Sequence, residues 1–85
     1  MAAQNRTSRN SIADPTSFGG MLRKNRKARG LSQADLAAGA VVTAQFVGML
    51  ELGVRKPSPE TVDNLIVALD LDEKNAKQLR KALKG

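Results

Sequence analysis

Two short helical segments, each with its own hydroxyl cap, stand almost back to back in residues 30–53, and this arrangement constrains the fold most strongly. Ser32 precedes the first segment, where its side-chain oxygen can accept unpaired amides of the first turn, and Asp35 completes a shortened capping box. Thr43 opens the second segment and Gly53 ends it. Helices joined so closely cannot lie antiparallel, so the sequence predicts that they meet at an angle.

Helices that meet in this way form a helix-turn-helix, and the apolar spacing supports one because Leu36, Val47 and Leu50 fall on the inward faces. Here the sequence resembles the Cro and phage-repressor family of DNA-binding domains, the XRE-like group. The matching residues are Gly30-Leu31-Ser32-Gln33, Leu36-Ala37, Val47, Leu50-Glu51 and Gly53, with Arg26 before them and Pro57 after. The resemblance spans about Phe18 to Leu71 and implies an all-α, compact five-helix lambda-repressor-like domain in which these segments are helices 2 and 3.

The length and composition of the chain exclude several classes of protein. Its 85 residues allow one small domain, and the absence of Cys and His excludes a disulfide frame and the usual zinc sites. No apolar run approaches transmembrane length, and the N-terminus lacks the apolar core of a signal peptide. No catalytic constellation is present. We therefore expect no enzyme, cofactor, metal or membrane partner, and a cytoplasmic protein that is nucleoid-associated when bound to DNA.

Caps and breakers divide the chain into an arm and one helical domain. Residues 1–14 are polar without periodicity and are predicted to form a flexible arm, whereas residues 15–85 form the helix-turn-helix domain. Helix 1 is expected to begin near Thr16 or Ser17 and to end at Arg29. Helix 4 begins after the Ser58 cap and runs to about Leu69, and helix 5 follows an Asp72 cap from Glu73 to Leu83.

The net charge of +6 is arranged as two basic segments around a neutral centre. Five cations crowd residues 23–29, two more follow Gly53, and no Lys or Arg lies between Gly30 and Gly53. This pattern favours a base-reading element flanked by phosphate contacts, with plain solvated helix faces as the alternative. The resemblance places four residues at the DNA backbone: Arg26, Gln33, Arg55 and Lys56. It also brings Arg26 into contact with Glu51.

The outer face of helix 3 carries the candidate base-reading residues Thr43, Ala44, Gln45 and Gly48. Gln45 is the only long polar side chain among them and can pair bidentately with adenine. Phe46 either packs against helix 4 or the turn, which we favour, or leans on DNA. Because hydrogen-bonding groups are few, we expect a modest or shape-dependent sequence preference. Met49 and Leu52 add apolar surface that could instead bind a protein.

Two glycine-related features lead to further expectations. Val41 stands where the family usually has Gly, and a β-branched residue in the left-handed conformation costs about 1–2 kcal/mol. Since Gly39 precedes it by two residues, we expect helix 2 to end sooner and the turn to be rearranged. In helix 1, Gly19-Gly20 is expected to weaken the first turn and allow fraying.

Together these features predict a sequence-specific double-stranded DNA-binding transcriptional regulator, repressor-like and from a bacterium or phage, with helix 3 in the major groove. We expect a weak homodimer assembled on DNA. Its candidate surface comprises Leu69, Leu71, Leu79 and Leu83. Three alternatives stay open: a protein-interaction module of antitoxin or anti-activator type, a nonspecific architectural DNA binder, and a fragment of a longer regulator.

Overall fold

The computed structural model of the chain describes residues 17–84, and the predicted arm, residues 1–14, lies outside the described residues. Within the described part there are five α-helices and no β-strand, so the predicted all-α class is confirmed. They are α1 (Phe18–Ala28), α2 (Gln33–Ala40), α3 (Ala44–Leu52), α4 (Pro59–Leu69) and α5 (Glu73–Lys84). Helix α1 ends one residue before the predicted Arg29, and α5 continues one residue beyond Leu83.

Each described helix begins at a side-chain cap, which accounts for where the helices start. The capping oxygens accept a backbone amide three residues later, at donor–acceptor distances of 2.8–3.2 Å. The capping residues are Ser17, Ser32, Thr43, Ser58 and Asp72. Asp35 returns the bond of Ser32 by accepting its backbone amide at 3.0 Å, so the capping box is complete. The predicted caps at Ser32, Thr43, Ser58 and Asp72 are confirmed.

The first four helices end in the same way, on a residue with positive φ. These residues are Gly30 (70°), Val41 (61°), Gly53 (81°) and Asp70 (52°). In each case the amide of the following residue donates to the carbonyl five residues earlier, at 3.0–3.2 Å, which is the closing bond of a Schellman motif.

The predicted rearrangement of the turn at Val41 is therefore wrong. Helix α2 continues past Gly39 to Ala40, and Val41 adopts left-handed backbone angles of φ 61° and ψ 45°. The longer helix buries Ala40 completely, and the Val42 amide closes the motif on the Ala37 carbonyl at 3.0 Å. Burial and the closing hydrogen bond outweigh the local cost of the β-branched residue.

The core is built from aliphatic side chains contributed by all five described helices. Its largest fully buried members are Leu22, Leu36, Val47, Leu50, Val62, Leu65, Leu69 and Leu79. Because Leu69 and Leu79 have no exposed surface, their assignment to a dimer surface is wrong. Leu71 and Leu83 pack against the same core and are only partly buried, so they remain accessible in part.

Helix α1 lies against the C-terminal end of α3, and Gly19 permits this approach. A Cβ atom at Gly19 would stand 2.6 Å from the Leu50 carbonyl oxygen, well inside van der Waals contact. Both glycines that suggested a weak first turn are buried, and Gly19 has a packing role. The packing joins α1 to α3 and α5, and α2 to α3 and α4, so that α3 is held from two sides.

Candidate nucleic-acid interface

Helices α2 and α3 form a bent pair whose axes differ in direction by 108°, within the range of a helix-turn-helix. The turn between them comprises residues 41–43. At the start of α3, Thr43, Ala44 and Gln45 are all exposed. The Thr43 hydroxyl is used as the cap of α3, since it accepts a hydrogen bond from the Phe46 amide at 3.0 Å. Gln45 is the long polar side chain of this exposed group. The structure thus presents the N-terminal end of α3 to solvent on a fixed scaffold.

A buried polar group joins the first three helices near the C-terminal end of α3. The Arg26 guanidinium donates from Nε and Nη2 to the two Glu51 carboxylate oxygens, at 2.6 and 3.2 Å. Its Nη1 donates to the Leu31 carbonyl at 2.8 Å, and Arg26 and Glu51 are only 8% and 4% exposed. The two charges therefore pair as the resemblance implied, and little of the guanidinium is left to reach a phosphate.

Gln33 joins the same group from the start of α2. Its side-chain Nε2 donates to Glu51 Oε1 at 3.1 Å, so one of its two amide protons is used inside the protein. The side-chain amide lies over Gly48, where a Cβ atom would stand 3.5 Å from Gln33 Oε1. Gly48 is consequently half-buried by Gln33, in contrast to the open position expected for it on the outer face of α3.

The remaining residues of α3 divide between the core and the surface. Phe46 is partly buried and packs against the core, which agrees with the packing alternative rather than the groove. Met49 is half-buried, whereas Leu52 is 53% exposed and Val54, just beyond the helix, is 64% exposed. The C-terminal end of α3 is therefore apolar on its outer side.

The basic residues around the bent pair differ in how they are held. Arg29 donates to the Asp70 carbonyl at 2.6 Å, which ties it to the end of α4. Arg55 and Lys56 are exposed and have no hydrogen-bond or ion-pair partner within residues 17–84. Arg23, half-buried on α1, likewise has none in the described part of the chain. Arg23, Arg55 and Lys56 are thus available to an anion.

The helix-turn-helix family model HTH_3, of the XRE/Cro type, matches residues 22–74, from the middle of α1 to the start of α5. The chain belongs to this family. No curated protein and no solved structure matches it significantly. The XRE/Cro-type helix-turn-helix is a DNA-binding regulatory domain, and its family is typically non-enzymatic.

Sequence reasoning missed two features of this helix-turn-helix domain. The bond between Gln33 and Glu51 could not be anticipated, because it depends on the space left by Gly48 on a different helix. The second feature is Arg23, which the sequence showed only as one of the basic residues of α1 but which has no hydrogen-bond or ion-pair partner in the described part of the chain. Its spacing offered a signal, since Arg23 lies three residues before Arg26 and therefore on the same side of the helix.

The cap of α2 has an electrostatic consequence. The Ser32 backbone amide, and to a smaller degree its hydroxyl, lower the pKa of Asp35 below its ordinary value of 3.8. Asp35 is thus held as a carboxylate at the positive end of α2, where it favours the helix.

Two further properties concern the described residues alone. Residues 17–84 contain no group of three or more potential metal ligands. No single helix in this range is long and apolar enough to cross a membrane. The bent pair α2 and α3, taken together, is long and apolar enough by length and composition alone.

Proposed function

We propose that this XRE/Cro-type domain is a sequence-specific, repressor-like transcriptional regulator that binds double-stranded DNA with α3 in the major groove. The observation that supports this most directly is the start of α3, where Gln45 is exposed on a helix fixed at 108° to α2. Thr43 and Ala44 precede it and can offer methyl groups to thymine. Gly48, beneath Gln33, contributes space rather than a contact.

Contacts with the DNA backbone supply most of the affinity in this proposal. Arg55 and Lys56 follow α3 directly, are exposed and have no partner in the described part of the chain. Gln33 keeps one amide proton for a phosphate. Arg26 acts mainly through Glu51 and Gln33, since only about a tenth of its side chain is exposed. The protein would then work in the cytoplasm of a bacterium, on the nucleoid.

The first test is selection from a random pool of duplex DNA at two salt concentrations, about 0.05 and 0.2 M. We expect an enriched consensus that persists at the higher salt. A palindromic consensus would support a dimer on DNA, for which Leu71 and Leu83 remain the partly accessible part of the proposed surface. Binding that enriches no sequence and disappears with salt would indicate an architectural DNA binder instead.

A pair of matched variants tests the role of Gln45. Gln45→Ala should relax the preference at one base position by about 1–3 kcal/mol. Gln78→Ala removes the same side chain from an exposed position on α5 and should leave every base preference unchanged. Equal behaviour of the two variants would contradict base reading by Gln45.

A second pair tests a backbone contact. Lys56→Ala should weaken binding to all sequences about equally and flatten the salt slope by about one unit. The control is Lys74→Ala, which removes an exposed lysine from the start of α5. Lys74 lies far along α5 from Leu83, and it is Leu83, at the other end of the helix, that lines a cleft with Lys56. A Lys74 variant that weakens binding as strongly would show that net charge, rather than the position of Lys56, determines affinity.

One observation favours a second candidate function, a module that binds another protein. Leu52, at the end of α3, and Val54, two residues later, both expose apolar side chains. Such a module would form a one-to-one complex with a non-DNA partner that salt does not dissociate. A domain that binds no duplex in the selection, even at the lower salt concentration, would make this the leading candidate.

A further inference from the structure

A half-open recess of about 290 Å³ lies where α1, α2 and α3 meet. It is lined by Arg23, Gln33, Gly48, Glu51 and Leu52. Arg23 is the one cation among these lining residues, and within residues 17–84 it has neither a hydrogen-bond nor an ion-pair partner. The recess therefore combines an unpaired guanidinium with the side-chain amide of Gln33.

The electrostatics of the recess are set by Arg23. Glu51 is the only acidic lining residue, and its carboxylate is paired with Arg26 through two hydrogen bonds. It also accepts a bond from Gln33, so its negative charge is compensated from two sides. Arg23 has no such compensation and leaves the recess with a net positive charge.

The shape of the recess depends on Gly48. A Cβ atom there would meet Gln33 Oε1 at 3.5 Å and Nε2 at 3.6 Å, which is ordinary contact. A longer side chain would extend into the space that the Gln33 amide and the recess now occupy. Glycine thus keeps the recess open and lets Gln33 lie across α3 with its second amide proton unused by Glu51.

We propose that this recess holds one backbone phosphate of bound duplex DNA, with Arg23 as the ionic contact, Gln33 as a hydrogen-bond donor and Gly48 as the residue that keeps the site open. The proposal rests on the DNA-binding function proposed above. It identifies Arg23 as a backbone contact and gives Gly48 a role that requires the absence of a long side chain.

The test compares Arg23→Ala with Lys24→Ala in titrations of the intact protein with its selected duplex over a range of salt. Each variant loses one cation from α1, but Lys24 is exposed and lies outside the recess. One phosphate contact is worth a slope of about 0.9 and about fivefold in affinity at 0.15 M salt. We expect that loss for Arg23→Ala and a clearly smaller one for Lys24→Ala.

A second comparison tests Gly48 with two variants that share the loss of glycine. Gly48→Ala should fold and should weaken duplex binding far less than Gly48→Gln, because its added methyl makes only ordinary contact with Gln33. Gly48→Gln should fold, as thermal melting would verify, yet bind more weakly and respond less to the loss of Arg23. Tight binding by Gly48→Gln would overturn the role of the open recess.

Replacing single phosphates of the duplex by uncharged methylphosphonates locates the contact. One position should weaken wild-type binding and have little further effect on Arg23→Ala. The proposal is overturned if no such position exists, or if Arg23→Ala and Lys24→Ala lose affinity equally. In those cases the DNA-binding function stands, whereas a wild-type protein without salt-dependent duplex binding would overturn both.

Discussion

Replacing Val41 by glycine should make the domain more stable. Val41 has φ 61°, where a side chain with a Cβ atom costs about 1–2 kcal/mol, and glycine removes that cost. Glycine also gains more freedom in the unfolded chain, which offsets about 0.4–1 kcal/mol of the gain. Because the side chain is 84% exposed, little apolar contact is lost. The balance is a gain of up to about 1.6 kcal/mol in the free energy of unfolding, centred on about 0.8 kcal/mol.

The assay is reversible unfolding by heat and by urea, with Val41→Ala as the matched control. For a domain of this size, about 1 kcal/mol raises Tm by roughly 4–8 °C, so Val41→Gly should raise Tm by a few degrees. Val41→Ala removes the branched side chain but keeps a Cβ atom at the same φ, so it should retain most of the strain. The Schellman bond from the Val42 amide to the Ala37 carbonyl does not involve the substituted side chain.

The reasoning fails if Val41→Gly is no more stable than Val41→Ala, or if its Tm falls below that of the wild type. Either result would mean that the conformation at Val41 carries no strain that glycine relieves. A rise in Tm for Val41→Gly but not for Val41→Ala would show that the left-handed conformation that ends α2 destabilises the domain.

Three further predictions concern single contacts. Glu51→Gln should lower the free energy of unfolding by about 3–5 kcal/mol, because Arg26 keeps a buried charge without its counter-ion; in urea titrations Arg26→Met combined with Glu51→Leu should recover most of the loss. Gly19→Ala should lower the free energy of unfolding by about 2 kcal/mol or more in the same assay, whereas Gly48→Ala should raise it by about 0.5–1 kcal/mol. Equal effects of the two substitutions would contradict the close approach at Gly19. Because the pKa of Asp35 is lower in the folded state, its carboxylate stabilises the fold at pH values above the ordinary pKa of 3.8, and this stabilisation is lost as the pH falls through the lower folded value. The difference in urea midpoint between the wild type and Asp35→Asn should therefore shrink at low pH. A difference that does not change with pH would refute this prediction.

Local rules predicted the helices well because their ends depend on nearby residues. The caps at Ser32, Thr43 and Ser58 use oxygens that bond amides three residues away, and all three are observed. Val41 shows where such rules fail. Such rules count the cost of its left-handed conformation, but the burial of Ala40 comes from tertiary packing and is invisible in the sequence.

Periodicity was similarly limited in what it could say about surfaces. The spacing of Leu69 and Leu79 indicates an inward face in a helix, but it does not distinguish the core of one domain from an interface between two. The structure places both in the core. For the candidate site, the contact between Arg26 and Glu51 followed from the family resemblance. The participation of Gln33 required the placement of Gly48, because the absence of a side chain has no periodic pattern.

The outer side of α3 offers a single long polar side chain, and this sets how well one domain could find its target in a genome. In the proposed function, one bidentate contact from Gln45 would discriminate by about 1–3 kcal/mol, or roughly five- to 150-fold. Two copies on a palindrome multiply that to about 20,000-fold at most. A genome offers about 10⁶–10⁹ competing sites. With this contact alone, most of the protein would be bound to those sites and one operator would stay largely unoccupied. A regulator built on this helix must gain the missing information from the shape of its DNA, or from a second molecule bound beside it.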